Sequence, residues 1–109
     1  MKKLLLIICL FFLVGCESVD YKKLMSDNEY VIVDVRDNFE YEENHVIGAV
    51  NVPLSEIDSY DFDDDKLIFV YCFSGMRSKE AYNFLKSKGF EVYNLGSIDS
   101  IDLPKEYLH

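Results

Sequence analysis

The run Leu67-Ile68-Phe69-Val70-Tyr71 carries no polar alternation, is rich in β-branched and aromatic residues, and stops at a cysteine, Cys72. A strand that is apolar on both faces has to be covered on both faces, which is the situation of a strand inside a parallel sheet. Tyr30 to Val35 (YVIVDV) repeats the pattern. Between and after these runs lie helix-like stretches. Ser18 to Asn28 places Val19, Tyr21, Leu24 and Met25 near one face, and residues 37–44 are acidic and tolerant of a turn or two of helix. Met76 to Lys88 reads as a longer helix with Ala81, Phe84 and Leu85 on its apolar side, and Gly89 stands where a left-handed cap belongs. Val46 to Pro53 (VIGAVNVP) reads as a further strand broken by Gly48, and Glu91 to Leu95 as another. Ser55 to Lys66 reads as a polar connection, and the residues after Leu95 are weakly patterned. Strands alternating with helices predict one α/β domain: a small parallel β-sheet flanked by helices on both faces. No repeat, linker or low-complexity segment divides the chain, and 109 residues suffice for one such domain.

The amino terminus has a different character. Lys2 and Lys3 precede an apolar run, Leu4 to Val14, that is too short for the roughly 20 residues a bilayer crossing needs. Leu13-Val14-Gly15-Cys16 resembles the lipobox of bacterial lipoproteins. That resemblance implies a signal peptide over residues 1–15, lipid on the Cys16 sulfur, and a mature chain of residues 16–109 tethered to a membrane. The alternatives are an uncleaved anchor, or an ordinary signal peptide beside an incidental cysteine. The expected setting is the bacterial cell envelope, outside the cytoplasm and periplasmic or on the cell surface.

Cleavage there would remove Lys2, Lys3 and Cys9, leaving nine basic against 20 acidic residues, a formal charge of −11. Such a chain has no electrostatic means of neutralising phosphates, so nucleic acid is excluded as a partner. A polybasic membrane contact is excluded on the same ground. With Cys16 acylated, Cys72 would have no disulfide partner, and a lone thiol outside the cytoplasm invites a chemical explanation.

Cys72 falls at the carboxyl end of a strand, where open α/β sheets place their ligands. The helix that follows aims free amides and its positive dipole end back at the sulfur, and both favour thiolate. Gly75 permits the loop to curl so that successive N–H groups converge as an anion nest. Arg77 adds a planar cationic fork. The plainer readings are a core cysteine and an exposed helix arginine. His45 reads as a hydrogen-bonded structural histidine, His109 is terminal, and no metal-ligand spacing exists.

Cys72-Phe73-Ser74-Gly75-Met76-Arg77-Ser78 resembles the active-site loop of rhodanese-like sulfurtransferases, Cys-x-x-Gly-x-Arg-Ser. Asp34-Val35-Arg36, Glu40-Tyr41 and His45 through Leu54 resemble the amino-terminal signature of that family, and Gly89-Phe90 also has a counterpart. The resemblance covers about residues 18–98. It implies that Cys72 accepts a sulfane sulfur as a persulfide, that the amides of Phe73, Ser74, Gly75, Met76, Arg77 and Ser78 cradle it, and that no metal or organic cofactor is needed. It implies that Asp34, Arg36, Glu40 and His45 brace the fold; an Arg36–Glu40 ion pair is our own expectation for one such brace. Implied partners are a small sulfur donor, such as thiosulfate or a persulfide, and a thiol acceptor; the domain is expected to be a monomer. Phosphatases and arsenate reductases of this fold have five residues between cysteine and arginine, whereas four separate Cys72 from Arg77. A non-catalytic sulfur-binding or redox-sensing module is the other alternative. The chain departs from the family at Leu95-Gly96-Ser97-Ile98-Asp99, where relatives carry Gly-Gly and then tryptophan, and in the short connection before Lys66. Those departures bear on the last helix and the pocket rim.

Overall fold

The computed structural model describes residues 19–108. The expected signal segment, residues 1–15, and Cys16 lie outside the described residues. Four parallel strands form the sheet in the order β3-β1-β4-β5: β1 (Tyr30–Asp34), β3 (Val50–Asn51), β4 (Leu67–Cys72) and β5 (Val92–Ser97). The unalternating runs take the centre. Every residue of β4 is buried, and β4 pairs with β1 from Tyr30↔Leu67 to Asp34↔Tyr71.

Strand periodicity divides β4 between two cores. Ile68, Val70 and Cys72 face Ala81 and Leu85 of helix α3 (Met76–Ser87), together with Ile57 and Phe62. Leu67, Phe69 and Tyr71 face the other layer, where Tyr21, Leu24 and Met25 of helix α1 (Tyr21–Asp27) cover them. Helices therefore lie on both faces, and the alternation that buries Phe69 against α1 also turns Cys72 toward α3. Helix α3 stops at Ser87, and Gly89 follows in the left-handed region at φ 95°.

Three expectations are corrected. Val46 to Pro53 is not one strand: β2 (Asn44–Val46) and β3 belong to different sheets, separated by a turn with Gly48 at φ 90°. The Val46 N–H donates to the Tyr71 hydroxyl at 3.0 Å instead of to the parallel sheet. The connection before Lys66 is not merely polar, because it delivers Ile57 and Phe62 to the core after a 3-10 turn at Leu54–Glu56. The carboxyl-terminal stretch holds a 3-10 turn, Ile98–Ser100, and a strand β6 (Lys105–Tyr107) antiparallel to β2. Among the described residues no helix is long and apolar enough to cross a membrane.

Candidate active site

Cys72 is the last residue of β4 and is fully buried, the free cysteine of the described residues. Its Sγ accepts from the Gly75 amide at 2.9 Å and the Ser78 amide at 3.3 Å. The Ser78 hydroxyl stands 3.4 Å from Sγ and donates to the Gly75 carbonyl at 3.1 Å. Burial pushes the thiol toward the neutral form, but these contacts and the Ser74 amide outweigh it and hold the Cys72 pKa below the ordinary thiol range.

Backbone geometry makes this possible. Gly75 caps α3 at φ 96°, so the chain reverses and its amide returns to the sulfur. A Cβ at Gly75 would stand 3.7 Å from the Gly96 Cα, an ordinary contact, so conformation and not space demands glycine. Gly96 reaches that position through an irregularity in β5, where Tyr71 pairs with Gly96 and Cys72 with Ser97.

The predicted cradle is narrower at the resting sulfur than the full loop. Gly75, Ser78 and Ser74 supply its donors, while the side chains of Phe73 and Met76 face solvent. Arg77 turns sideways to a bidentate pair with Glu40, at 2.9 and 3.1 Å. Glu40 belongs to helix α2 (Asn38–Glu43) and also accepts from the Asp37 amide at 3.1 Å. The Arg77 hydrogen bonds lower the Glu40 pKa, and the same carboxylate raises that of Arg77.

The expected Arg36–Glu40 brace is therefore replaced. Arg36 is buried and pairs with Asp34, its Nη2 donating at 2.7 Å and its Nε at 3.0 and 3.1 Å. Two residues apart at a strand end, these side chains meet without crossing to α2. Burial works against the Arg36 charge, but the Asp34 hydrogen bonds prevail and raise its pKa. Arg36 Nη2 also donates to the Asn44 carbonyl at 2.6 Å, tying β1 to β2.

His45 stacks on Tyr41 with ring centroids 4.0 Å apart, and its Nδ1 donates to the Tyr41 carbonyl at 2.8 Å. Its Nε2 lies 3.2 Å from Glu106 of β6, so its partners are structural. Sequence reasoning missed Asn51, which donates to the carbonyls of both Asp34 and Arg36 at 3.0 Å. It also missed the buried Tyr71 hydroxyl that holds Val46; burial raises the Tyr71 pKa. Its position inside an apolar run concealed the polar role. Among the described residues no group of three or more acidic, histidine or cysteine side chains could hold a metal ion.

A compact sulfur in a nest of amides, with the nearby guanidinium already neutralised, suits a nucleophile that carries one extra sulfur. Comparison with known proteins points the same way. Residues 18–102 match the family model described as the rhodanese-like domain. The thiosulfate sulfurtransferase GlpE of Coxiella burnetii is 36% identical over 76 residues, which cover 67% of this chain and 71% of that protein. A probable molybdopterin-synthase adenylyltransferase of Porphyra purpurea is 43% identical over 68 residues, 59% of this chain but 18% of the relative. Among solved structures, a rhodanese from E. coli with anions superposes with a TM-score of 0.66 at 32% identity, covering 72% of this chain and 99% of that one.

Proposed function

The chain belongs to the rhodanese-like family, and from that membership we propose that it is a sulfurtransferase working through a Cys72 persulfide. The observation that carries this reading is the convergence of the Gly75 and Ser78 amides on Sγ at 2.9 and 3.3 Å. Those contacts favour the thiolate, the nucleophilic form. It attacks the outer sulfur of a donor, thiosulfate or a persulfide. A bond forms between Sγ and that sulfur, the donor's S–S bond breaks, and sulfite or a thiolate leaves with the bonding pair. An acceptor thiolate then takes the outer sulfur and returns Cys72 to its resting state. Both steps are transfers without net oxidation. The amides of Met76 and Arg77, in the first turn of α3, lack intrahelical acceptors and suit the charge on a second sulfur.

Phosphate-ester chemistry is disfavoured by the same geometry. Two of the five Arg77 N–H donors are held by Glu40, so a phosphate dianion would have to compete with that carboxylate for the guanidinium. The test is intact mass after incubation with thiosulfate and, separately, with a small persulfide. The native domain is expected to gain one sulfur and Cys72→Ser none. Failure to gain sulfur from either donor, with hydrolysis of an aryl phosphate, overturns the reading.

The proposal includes a lipid tether at Cys16 in the bacterial envelope, supported by the charged, apolar and small-residue order of residues 1–16. Cys16→Ser is expected to leave the membrane fraction. Unchanged partitioning would sink the tether and leave the chemistry standing.

A further inference from the structure

We propose that the surface around Val19, formed by helix α1 and the edge strand β5, is the face this domain lays on the lipid bilayer, and that the Cys72 loop is thereby left open to water. This rests on the lipid tether proposed for Cys16. A lipid on that sulfur holds Cys16 at the level of the headgroups, and Val19 follows three residues later. Three Cα steps span at most about 11 Å, less than the radius of gyration of about 13 Å for a domain of about 100 residues. A leash shorter than the body it holds lets only the surface near its attachment reach the headgroups.

That surface has the composition of a membrane interface. Val19 is 49% exposed and borders three adjoining clefts. Strand β5 ends the sheet order, and among the described residues no further strand pairs with its outer edge. Tyr21, Tyr82 and Tyr93 line one cleft with Val19, and the exposed Lys22, Lys23 and Lys86 rise from the three. Tyrosine and lysine both lay an apolar body against the hydrocarbon boundary and keep a polar tip in water.

Charge selects the same face. Its three lysines stand against four carboxylates, Asp20, Asp27, Glu91 and Asp102. Two of these are paired, Asp102 with Lys22 at 2.9 Å and Asp27 with Lys23 at 3.1 Å. The rest of the mature chain carries six basic residues against 16 acidic ones. An anionic leaflet therefore repels the remainder of the surface more strongly than this face.

The sulfur loop lies elsewhere. None of residues 73–78 borders the three clefts. Phe39, which shares a cavity with Phe73, belongs to α2 between β1 and β2, and β4 stands between β1 and β5. Sulfur donors and acceptors then reach Cys72 from the aqueous phase.

The chain contains no tryptophan, so single-tryptophan variants each report one place. The lipidated full chain is reconstituted in vesicles of phosphatidylcholine and phosphatidylglycerol that carry a nitroxide on a fraction of the headgroups. Val19→Trp reports the tether, Tyr82→Trp the far side of the clefts, and Phe39→Trp the rim near the sulfur loop. Quenching is expected to be strong at position 19 and several-fold stronger at position 82 than at position 39. Lys86→Trp, at an exposed position, gives the same reading should Tyr82→Trp fail to fold. Equal quenching at positions 82 and 39, or stronger quenching at 39, overturns the inference while the quenched position 19 keeps the tether. An unquenched Val19→Trp overturns the tether and the inference with it, and leaves the sulfur chemistry standing.

Discussion

At Cys72 two forces oppose each other, and the hydrogen bonds win. A fully buried thiol in an apolar layer would resist ionisation, yet the Gly75, Ser78 and Ser74 contacts bring its pKa below the ordinary value. Loading should therefore rise with pH and level off before the usual thiol range, as a pH–rate profile would show. The linked stability has a definite sign. Between the lowered folded value and the ordinary unfolded one, the unfolded thiol holds a proton that the folded one does not. Stability relative to Cys72→Ala should thus increase with pH across that window and be lost as pH falls through the folded value, measurable by urea titration at several pH values. Ser78→Ala removes the hydroxyl that must turn from the Gly75 carbonyl to donate to the thiolate 3.4 Å away, a bond worth no more than about 1.5 kcal/mol, and should slow loading by up to roughly tenfold near neutral pH. Its pH–rate profile should shift upward, whereas a purely structural loss would leave the profile in place. These roles are local in the chain, and for that reason Cys72, Gly75 and Ser78 were legible in the sequence. The partner of Arg77 was not. Glu40 lies 37 positions away, and only the packing of α2 beside α3 shows that its carboxylate reaches Arg77 before Arg36.

Helix α3 does the positioning at the next scale, and its start depends on one backbone angle. Gly75→Ala must hold φ near 96° with a side chain, at a cost of about 1–2 kcal/mol. Because its Cβ meets nothing closer than 3.7 Å, the protein should fold, with a melting temperature several degrees lower and loading impaired. Glu40→Gln tests the junction of α2 and α3. The pair is partly exposed, so its loss should cost no more than about 1 kcal/mol. Strand identity was readable wherever burial was two-sided, in β1 and β4. It failed at Val46 to Pro53, where apolar residues flank a left-handed glycine and the run serves two sheets. It failed again at β6, whose Lys105-Glu106-Tyr107 carries little apolar signal and pairs only with another three-residue strand.

Across the whole molecule, the buried Asp34–Arg36 pair fastens the central sheet to the β2–β6 ribbon through the Asn44 carbonyl. Arg36→Met leaves a buried carboxylate without its partner and should cost about 3–5 kcal/mol, a large share of the 5–15 kcal/mol typical of a domain. The double variant Asp34→Asn/Arg36→Met should recover much of that loss in chemical denaturation, since no charge is then stranded. The resemblance named the fold, but the expected Arg36–Glu40 brace was misassigned, because residue types in a motif do not state which side chains meet. The position of Cys72 at the end of the wholly buried central strand has one more consequence. Backbone amides there should exchange with deuterium only when the entire domain opens, while those of β6 exchange early. Fraying of the ribbon would then leave the nest around Cys72 intact, and a persulfide formed there would be sheltered for as long as the domain stays folded.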